Sequence, residues 1–238
     1  IDGNLQTAMA IHDALRLLGI AYVSPPLTSY AATSGDKTAI DSVKFPLETL
    51  QYRSGDCSDL AVLYCSLLES VQIETAFITV PGHIFMAFAL GSSEADVKKT
   101  FSNWDDFIFR GDKVWIPVEV TEREGLFMKA WQEGAKAWRE NLQKTQADFY
   151  PVRDAWKTYE PVNYPGAQGQ PQLPDLAKLA VDFEQDRTSL ILREISSKET
   201  ALMAAASKSN NSPKSLNALG VLYARYDLIA KAEAQFRA

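Results

Sequence analysis

A pair of apolar runs joined by a two-residue turn constrains the fold of this chain most strongly. Residues 74–80 are rich in Thr, Ile, Val and Phe, and residues 83–90 form a second apolar run after the Pro81-Gly82 step. Two such runs separated by a Pro-Gly step predict an antiparallel β-hairpin. A further pair of runs, 107–109 and 113–120, predicts a second hairpin. The chain is therefore expected to contain an antiparallel sheet.

Helical patterns flank these strands. Apolar residues recur at helical spacing over 5–18, 56–70 and 124–146, which predicts three helices. From residue 175 to residue 208 the sequence is almost continuously helix-forming, and a shorter helix pair follows. Helices with antiparallel strands, followed by helices alone, predict an α+β core with an all-α helical tail.

Domain boundaries follow from local composition. Residues 161–174 hold four prolines and few large apolar groups, which is typical of a linker. The sequence therefore predicts one domain over 1–160, a linker over 161–174 and a helical region over 175–238.

Composition excludes several classes of function. With 46% hydrophobic and 23% charged residues, the chain has the composition of a globular protein and not of a disordered one. Its formal net charge of −6, without basic runs, is unlike that of a nucleic-acid-binding protein. No apolar run approaches the ~20 residues that a membrane-spanning helix needs, so no membrane span is expected.

A start at Ile1 indicates a processed or excised piece from which any signal peptide is removed. A periplasmic or cell-envelope location is expected rather than a cytoplasmic one, and the two cysteines do not decide between them. Cys57 and Cys65 lie eight residues apart in one predicted helix, a separation of about 12 Å. That separation exceeds the reach of a disulfide, so the two thiols are not expected to bridge to each other.

Cys57 is a candidate nucleophile because of its place at the head of a predicted helix. Asp56 is a strong N-cap residue, and Asp59 falls at the third helical position, where a carboxylate favours the helix start. The unpaired backbone N–H groups of a first turn lower the pKa of a thiol and are able to bind a developing oxyanion. The alternative is a small buried hydrophobic residue, the role expected for Cys65.

A histidine and a glutamate complete the candidate set. His83 begins an apolar strand, and Glu119 lies within another apolar strand; both are costly to bury unless they are paired. With Cys57 they supply a nucleophile, a base and an orienting acid. The alternative is that each of these side chains lies at an exposed edge of the sheet and has no catalytic role. His12, in an amphipathic helix, is interpreted as a structural residue.

Three stretches carry a resemblance to a known family. Residues 55–61 (GDCSDLA), 82–85 (GHIF) and 115–121 (WIPVEVT) resemble the bacterial transglutaminase-like, papain-like cysteine superfamily. The resemblance covers roughly residues 1–145. It implies a cysteine-bearing helix packed on an antiparallel sheet that carries the histidine and the acid.

The same resemblance implies roles for individual residues. Cys57 would be the nucleophile, His83 the general base and then acid, and Glu119 the residue that orients the imidazole. Many family members carry aspartate where this chain has Glu119. Family members also place an aromatic or amide group upstream to complete the oxyanion hole, and Tyr22 is the first candidate for that group, with Gln51 second.

The end of the chain resembles one tetratricopeptide repeat. Residues 219–223 (LGVLY), followed by Tyr226, Ala230, Ala234 and Phe236, match the small and aromatic positions of such a repeat. The resemblance implies a protein partner bound through the C-terminal repeats, with further repeats beyond this piece. The alternative is an ordinary helical hairpin.

Two functions from different classes remain open. The first is a cysteine-dependent hydrolase or acyl transferase that attacks an amide bond of a peptide or protein substrate through a thioester. The second is a catalytically weak or inactive papain-like scaffold whose repeats recruit a protein partner. No cofactor and no metal are expected, because the chain has no glycine-rich phosphate loop and no zinc-ligand spacing.

Overall fold

The computed structural model describes residues 1–24, 42–162 and 172–238. Contacts between residues divide the chain into two compact units, Ile1–Asp186 and Arg187–Ala238. Most of the linker predicted over 161–174 lies outside the described residues.

The first unit combines helices with antiparallel strands, so the predicted α+β class is confirmed at that level. Its described helices are α1 Gly3–Leu17, α2 Pro46–Tyr52, α3 Cys57–Ser70, α4 Glu94–Thr100, α5 Phe127–Gln143 and α6 Val152–Ala155. Its described strands are β1 Ala21–Tyr22, β2 Ser54–Gly55, β3 Thr75–Val80, β4 His83–Ala89, β5 Ile108–Arg110, β6 Lys113–Val118 and β7 Asp148–Pro151. Sequence patterns did not predict α2, α4 or β7.

Five strands form one antiparallel sheet in the order β5-β6-β4-β3-β7. Both predicted hairpins, β3–β4 and β5–β6, are present. The first closes tightly, with Val80 opposite His83. Gly82 takes a φ of 71°, in the left-handed region that this turn requires and that glycine adopts without steric cost. In the centre of the sheet Met86 of β4 pairs with Val118 of β6.

A hydrophobic core lies between the sheet and the helices. The helix α3 packs against β4 and buries Leu60, Leu63 and Leu68 almost completely. The helix α5 packs against β6 and buries Trp131, whose indole N–H donates to the Asp106 carbonyl at 2.8 Å. The core therefore fixes two helices on two adjacent strands.

The helix α5 also approaches the end of β6 at backbone distance. A Cβ atom added at Gly134 would lie 2.8 Å from the Pro117 carbonyl oxygen and 2.9 Å from the Glu119 nitrogen. The Glu119 N–H donates to the Ala130 carbonyl at 2.9 Å. The segment that follows β6 is thus held by the backbone of α5.

The amides at the start of α5 are capped by a carboxylate that lies almost 60 residues later in the sequence. Asp186 accepts hydrogen bonds from the N–H groups of Phe127 at 2.7 Å and Met128 at 3.2 Å. Asp186 lies on α7 Leu176–Lys208, a helix that begins in the first unit and ends in the second. A carboxylate at this position satisfies two N–H groups that the helix leaves without partners.

The second unit is helical, in agreement with the predicted all-α tail. The helices α8 Pro213–Arg225 and α9 Ile229–Arg237 follow the end of α7. They pack closely, because Gly220 offers no side chain where the Phe236 ring lies. A compact core joins the three helical segments, formed by Ile191, Ile195, Ala206, Leu219, Leu222, Tyr223 and Ala232.

Among the described residues, no helix is both long enough and apolar enough to span a membrane.

Replacing Gly134 with alanine tests the close contact between α5 and β6. We expect Gly134→Ala to lower the free energy of unfolding by about 1–3 kcal/mol, because the new methyl group meets backbone atoms that cannot rotate away. Urea denaturation measures the change. Gly3→Ala is the control, since nothing lies within 4 Å of a Cβ at Gly3. Equal stability of Gly134→Ala and Gly3→Ala would show that α5 and β6 do not lie this close at Gly134.

Candidate active site

Cys57 is the first residue of α3, as the sequence predicts. Asp56 caps the helix by accepting a hydrogen bond from the Asp59 N–H at 2.9 Å, and Asp59 accepts one from the Asp56 N–H at 3.1 Å. The buried Asp59 carboxylate also binds the Lys44 N–H at 2.7 Å and the Lys44 Nζ at 2.5 Å. The Cys57 thiol is therefore held in a fixed first turn, beside the amides of the helix N-terminus.

A short parallel strand pair lies immediately before Cys57. Tyr22 of β1 pairs with Gly55 of β2, and the Val23 N–H donates to the Gly55 carbonyl at 2.9 Å. Gly55 fits closely, because a Cβ at this position would lie 2.7 Å from the Asp59 Cβ. The pairing places Tyr22 beside the residues that lead into the helix.

His83 occupies the first position of β4, directly after the tight turn. Its ring stacks on the Phe85 ring, with 5.8 Å between centroids and 23° between planes. Its side chain is 27% exposed, so one edge of the imidazole remains accessible to solvent.

Glu119 follows the last residue of β6, and both of its carboxylate oxygens are bound. Oε2 lies 2.8 Å from His83 Nε2. Oε1 accepts hydrogen bonds from the Thr121 N–H at 3.0 Å and from the Thr121 hydroxyl at 2.6 Å. Thr121 therefore fixes one oxygen of the carboxylate and leaves the other directed at the imidazole.

His83 joins Glu119 to Cys57. While Nε2 binds Glu119, the ring also lies close enough to the Cys57 side chain for an interaction with it to raise the pKa of His83. Burial by itself lowers the pKa of His83, but the interactions with Cys57 and Glu119 outweigh burial and raise that pKa to about 9. The imidazolium is thus favoured over a wide pH range, and the three predicted residues form one connected group.

The two oxyanion-hole candidates differ in position. Tyr22 is 44% exposed but lies near the group: partial burial, and then the proximity of Cys57, raise the pKa of its hydroxyl against the opposing effect of a hydrogen bond with Ser24. The hydroxyl therefore keeps its proton and is able to donate. Gln51 lies exposed on α2. Tyr22 is the candidate that the structure brings close to Cys57.

Both cysteines are buried, Cys57 at 5% and Cys65 at 3% exposure, but their neighbours differ. Burial raises the pKa of Cys65 to about 12 against the opposing effect of a hydrogen bond with Thr75. This thiol stays protonated at neutral pH, which agrees with the expected role as a small buried hydrophobic residue.

The second histidine is also buried. His12 is fully covered and lies against the rings of Tyr64 and Phe127. Burial first, and then the positive charge of Arg123, lower its pKa to about 3. His12 is neutral at physiological pH and lies within the structural core, as expected.

Sequence reasoning missed three residues that support the group. Thr121 follows Glu119 by two residues, a spacing at which a hydroxyl and its own N–H are able to bind a preceding carboxylate. Lys44 and Arg123 gave no local signal, because their partners are distant in the sequence. No cluster of three or more His, Cys, Asp or Glu side chains suited to a metal ion occurs within the described ranges.

Comparisons with known proteins give no relative from which a role could be transferred. No family model, no curated protein and no solved structure matches this chain.

An NMR titration of the two histidines tests the electrostatics of the group. We expect one imidazole to titrate near pH 9 and the other near pH 3. Glu119→Gln should lower the midpoint of His83, because the imidazolium loses its carboxylate partner, and should leave His12 unchanged. A His83 midpoint that is the same in the variant and the parent would contradict the Glu119 contact.

Substitution of Thr121 tests its contact with Glu119. Thr121→Val removes the hydroxyl while keeping the side-chain shape, and we expect a loss of about 1–2 kcal/mol in unfolding free energy and a lower His83 midpoint. Thr121→Ser keeps the hydroxyl and is the matched control. Thermal unfolding and the same NMR titration measure both effects, and identical behaviour of the two variants would exclude a role for the hydroxyl.

Proposed function

We propose that this protein is a cysteine-dependent hydrolase or acyl transferase of the transglutaminase-like class, acting on an amide bond of a peptide or protein. The observation that carries the proposal is the connected group of Cys57, His83 and Glu119, with the thiol at a helix N-terminus. Sites of nucleophilic catalysis are recognised by their geometry: the nucleophile lies within hydrogen-bonding reach of a base, and the base within reach of a group that orients it.

The first step begins with the proton of the Cys57 thiol already on His83, because the raised pKa of about 9 favours the imidazolium, which the Glu119 carboxylate stabilises. The thiolate attacks the carbonyl carbon of the amide, and the π electrons of the carbonyl move onto oxygen. The N-terminal amides of α3 supply hydrogen-bond donors for that oxyanion, and the Tyr22 hydroxyl is a further candidate donor.

In the second step His83 gives its proton to the departing amine. The C–N bond breaks as the carbonyl re-forms, and the acyl group remains on Cys57 as a thioester. Water, or a second amine, then attacks the thioester with His83 as the base, and the thiol is regenerated. Water gives hydrolysis, which we favour, and an amine gives acyl transfer.

The fold of the first unit is compatible with this class. A helix headed by the cysteine packs on an antiparallel sheet, and adjacent strands of that sheet lead to the histidine and the acid. The glutamate in place of the more frequent aspartate still reaches the imidazole at 2.8 Å. The papain-like architecture is thus part of the proposal.

The second unit supports a role in protein binding. Its helices α8 and α9 pack at close range around Gly220, which is the kind of contact that small residues permit in tetratricopeptide repeats. Phe236 is 51% exposed on this helix pair. We therefore include a protein partner bound by these helices in the proposal. In the alternative proposal, a catalytically weak or inactive scaffold, the protein still binds this partner but does not cleave an amide bond.

Covalent labelling tests the proposal. We expect iodoacetamide to modify Cys57 selectively over Cys65 at pH 6, because the Cys57 thiol has an imidazolium partner and the Cys65 thiol has a pKa of about 12. An activated acetyl ester should acylate Cys57 and release its alcohol in a burst. Peptide mapping by mass spectrometry locates both modifications.

Two variants control this experiment. His83→Ala should slow both reactions at Cys57 by about 10²–10⁴-fold, the usual contribution of a general base. Cys65→Ala should leave both reactions unchanged. Equal slow labelling of the two cysteines at pH 6, with no acetylation burst, would contradict the enzyme proposal and favour the scaffold.

A further inference from the structure

Arg123 joins three segments of the first unit through one guanidinium group. Its Nη1 donates to the Tyr64 hydroxyl at 2.5 Å, and its Nε donates to the Ile20 carbonyl at 3.3 Å. The guanidinium carbon also lies 5.7 Å from the centre of the Tyr64 ring. These partners are 59 and 103 residues away from Arg123 in the sequence.

Each of the three segments carries one group of the candidate site. Ile20 directly precedes β1, which holds Tyr22. Tyr64 lies on α3 seven residues after Cys57, which is about two helical turns, so both side chains lie on the same face of the helix. Arg123 itself follows Glu119 by four residues, in the segment between β6 and α5.

The surroundings make these contacts specific to arginine. The Tyr64 side chain is 2% exposed, and its hydroxyl needs a partner at that depth. The fully buried Asp13 lies close enough for the charge of Arg123 to act on its carboxylate. A planar guanidinium supplies donors in several directions at once, whereas an ammonium group acts as a single point charge.

We propose that Arg123 is a positioning residue, which holds the Cys57 helix, the Tyr22 strand and the Glu119 segment in the arrangement that the chemistry requires. The inference rests on the proposed function, because it concerns the same site. Arg123 does not touch the reacting atoms; it acts through the segments that carry them.

Loss of this connection should change reactivity more than stability alone would explain. A displacement of about 1 Å between reacting groups is enough to cost about 10²-fold in rate. We therefore expect Arg123→Met to slow iodoacetamide labelling of Cys57 by about 10- to 100-fold at pH 6 and to change the pH profile of labelling. The change in profile reports the contact between Cys57 and His83, which a general loss of stability would not move.

Arg139 provides a matched control within the same unit. It is a half-buried arginine that also makes two hydrogen bonds, to the Asp105 carbonyl and to the Asp106 carboxylate, both at 2.8 Å. Neither contact involves a segment that carries Cys57, His83 or Tyr22. Arg139→Met should lose stability without changing the pH profile of Cys57 labelling.

Two milder variants keep the test decisive if Arg123→Met does not fold. Tyr64→Phe removes only the hydroxyl that Arg123 binds, and should slow labelling less than Arg123→Met but shift the profile in the same direction. Arg123→Lys keeps the charge and should restore part of the rate. Folding of every variant is checked by circular dichroism before labelling.

The outcomes separate this inference from the proposed function. If the parent protein shows no selective labelling of Cys57, the proposed function fails. If the parent is selective while Arg123→Met, Arg123→Lys and Tyr64→Phe all keep its rate and pH profile, the enzyme proposal stands and the positioning role of Arg123 is excluded. A profile that changes as much in Arg139→Met as in Arg123→Met would also exclude it.

Discussion

Backbone contact between α5 and the end of β6 determines where the carboxylate of the candidate site lies. Gly134 allows the helix to touch the Glu119 segment, and the Ala130 carbonyl binds the Glu119 N–H. The sheet then supplies the partner: β4 pairs with β6 as far as Met86–Val118, so His83, three residues before Met86, and Glu119, one residue after Val118, lie at the same end of the two neighbouring strands. Helix packing and strand register thus have to agree before the imidazole and the carboxylate meet.

The two histidines show how different surroundings shift the pKa of the same side chain in opposite directions. His12 is fully buried and His83 is partly buried, yet the pKa of His12 is lowered to about 3 and that of His83 is raised to about 9. Burial among aromatic rings removes water from His12, and the nearby Arg123 guanidinium repels a second positive charge. His83 has a carboxylate as hydrogen-bond partner and lies near the Cys57 thiol. At neutral pH His83 therefore carries a second proton that it can donate, whereas His12 does not.

Local features of the site were predictable from the sequence, and distant ones were not. The capping pair of Asp56 and Asp59 lies within four residues, so the position of Cys57 at a helix start follows from spacing alone. The β3–β4 hairpin was equally predictable, from the apolar runs on either side of Gly82. By contrast, β7 is a four-residue strand whose identity depends on pairing with β3, more than 60 residues earlier. Arg123 and Lys44 act on partners that only the folded chain brings together.

The cap that Asp186 gives to α5 has a consequence for how far the first unit extends along the chain. A fragment that ends at residue 160 would contain every strand of the five-stranded sheet and all three members of the candidate triad. It would nevertheless leave the N–H groups of Phe127 and Met128 without their acceptor. The helix so weakened is the one that holds Glu119 in place. A fragment that keeps this cap thus has to include the first three turns of α7, although no residue of that helix belongs to the triad.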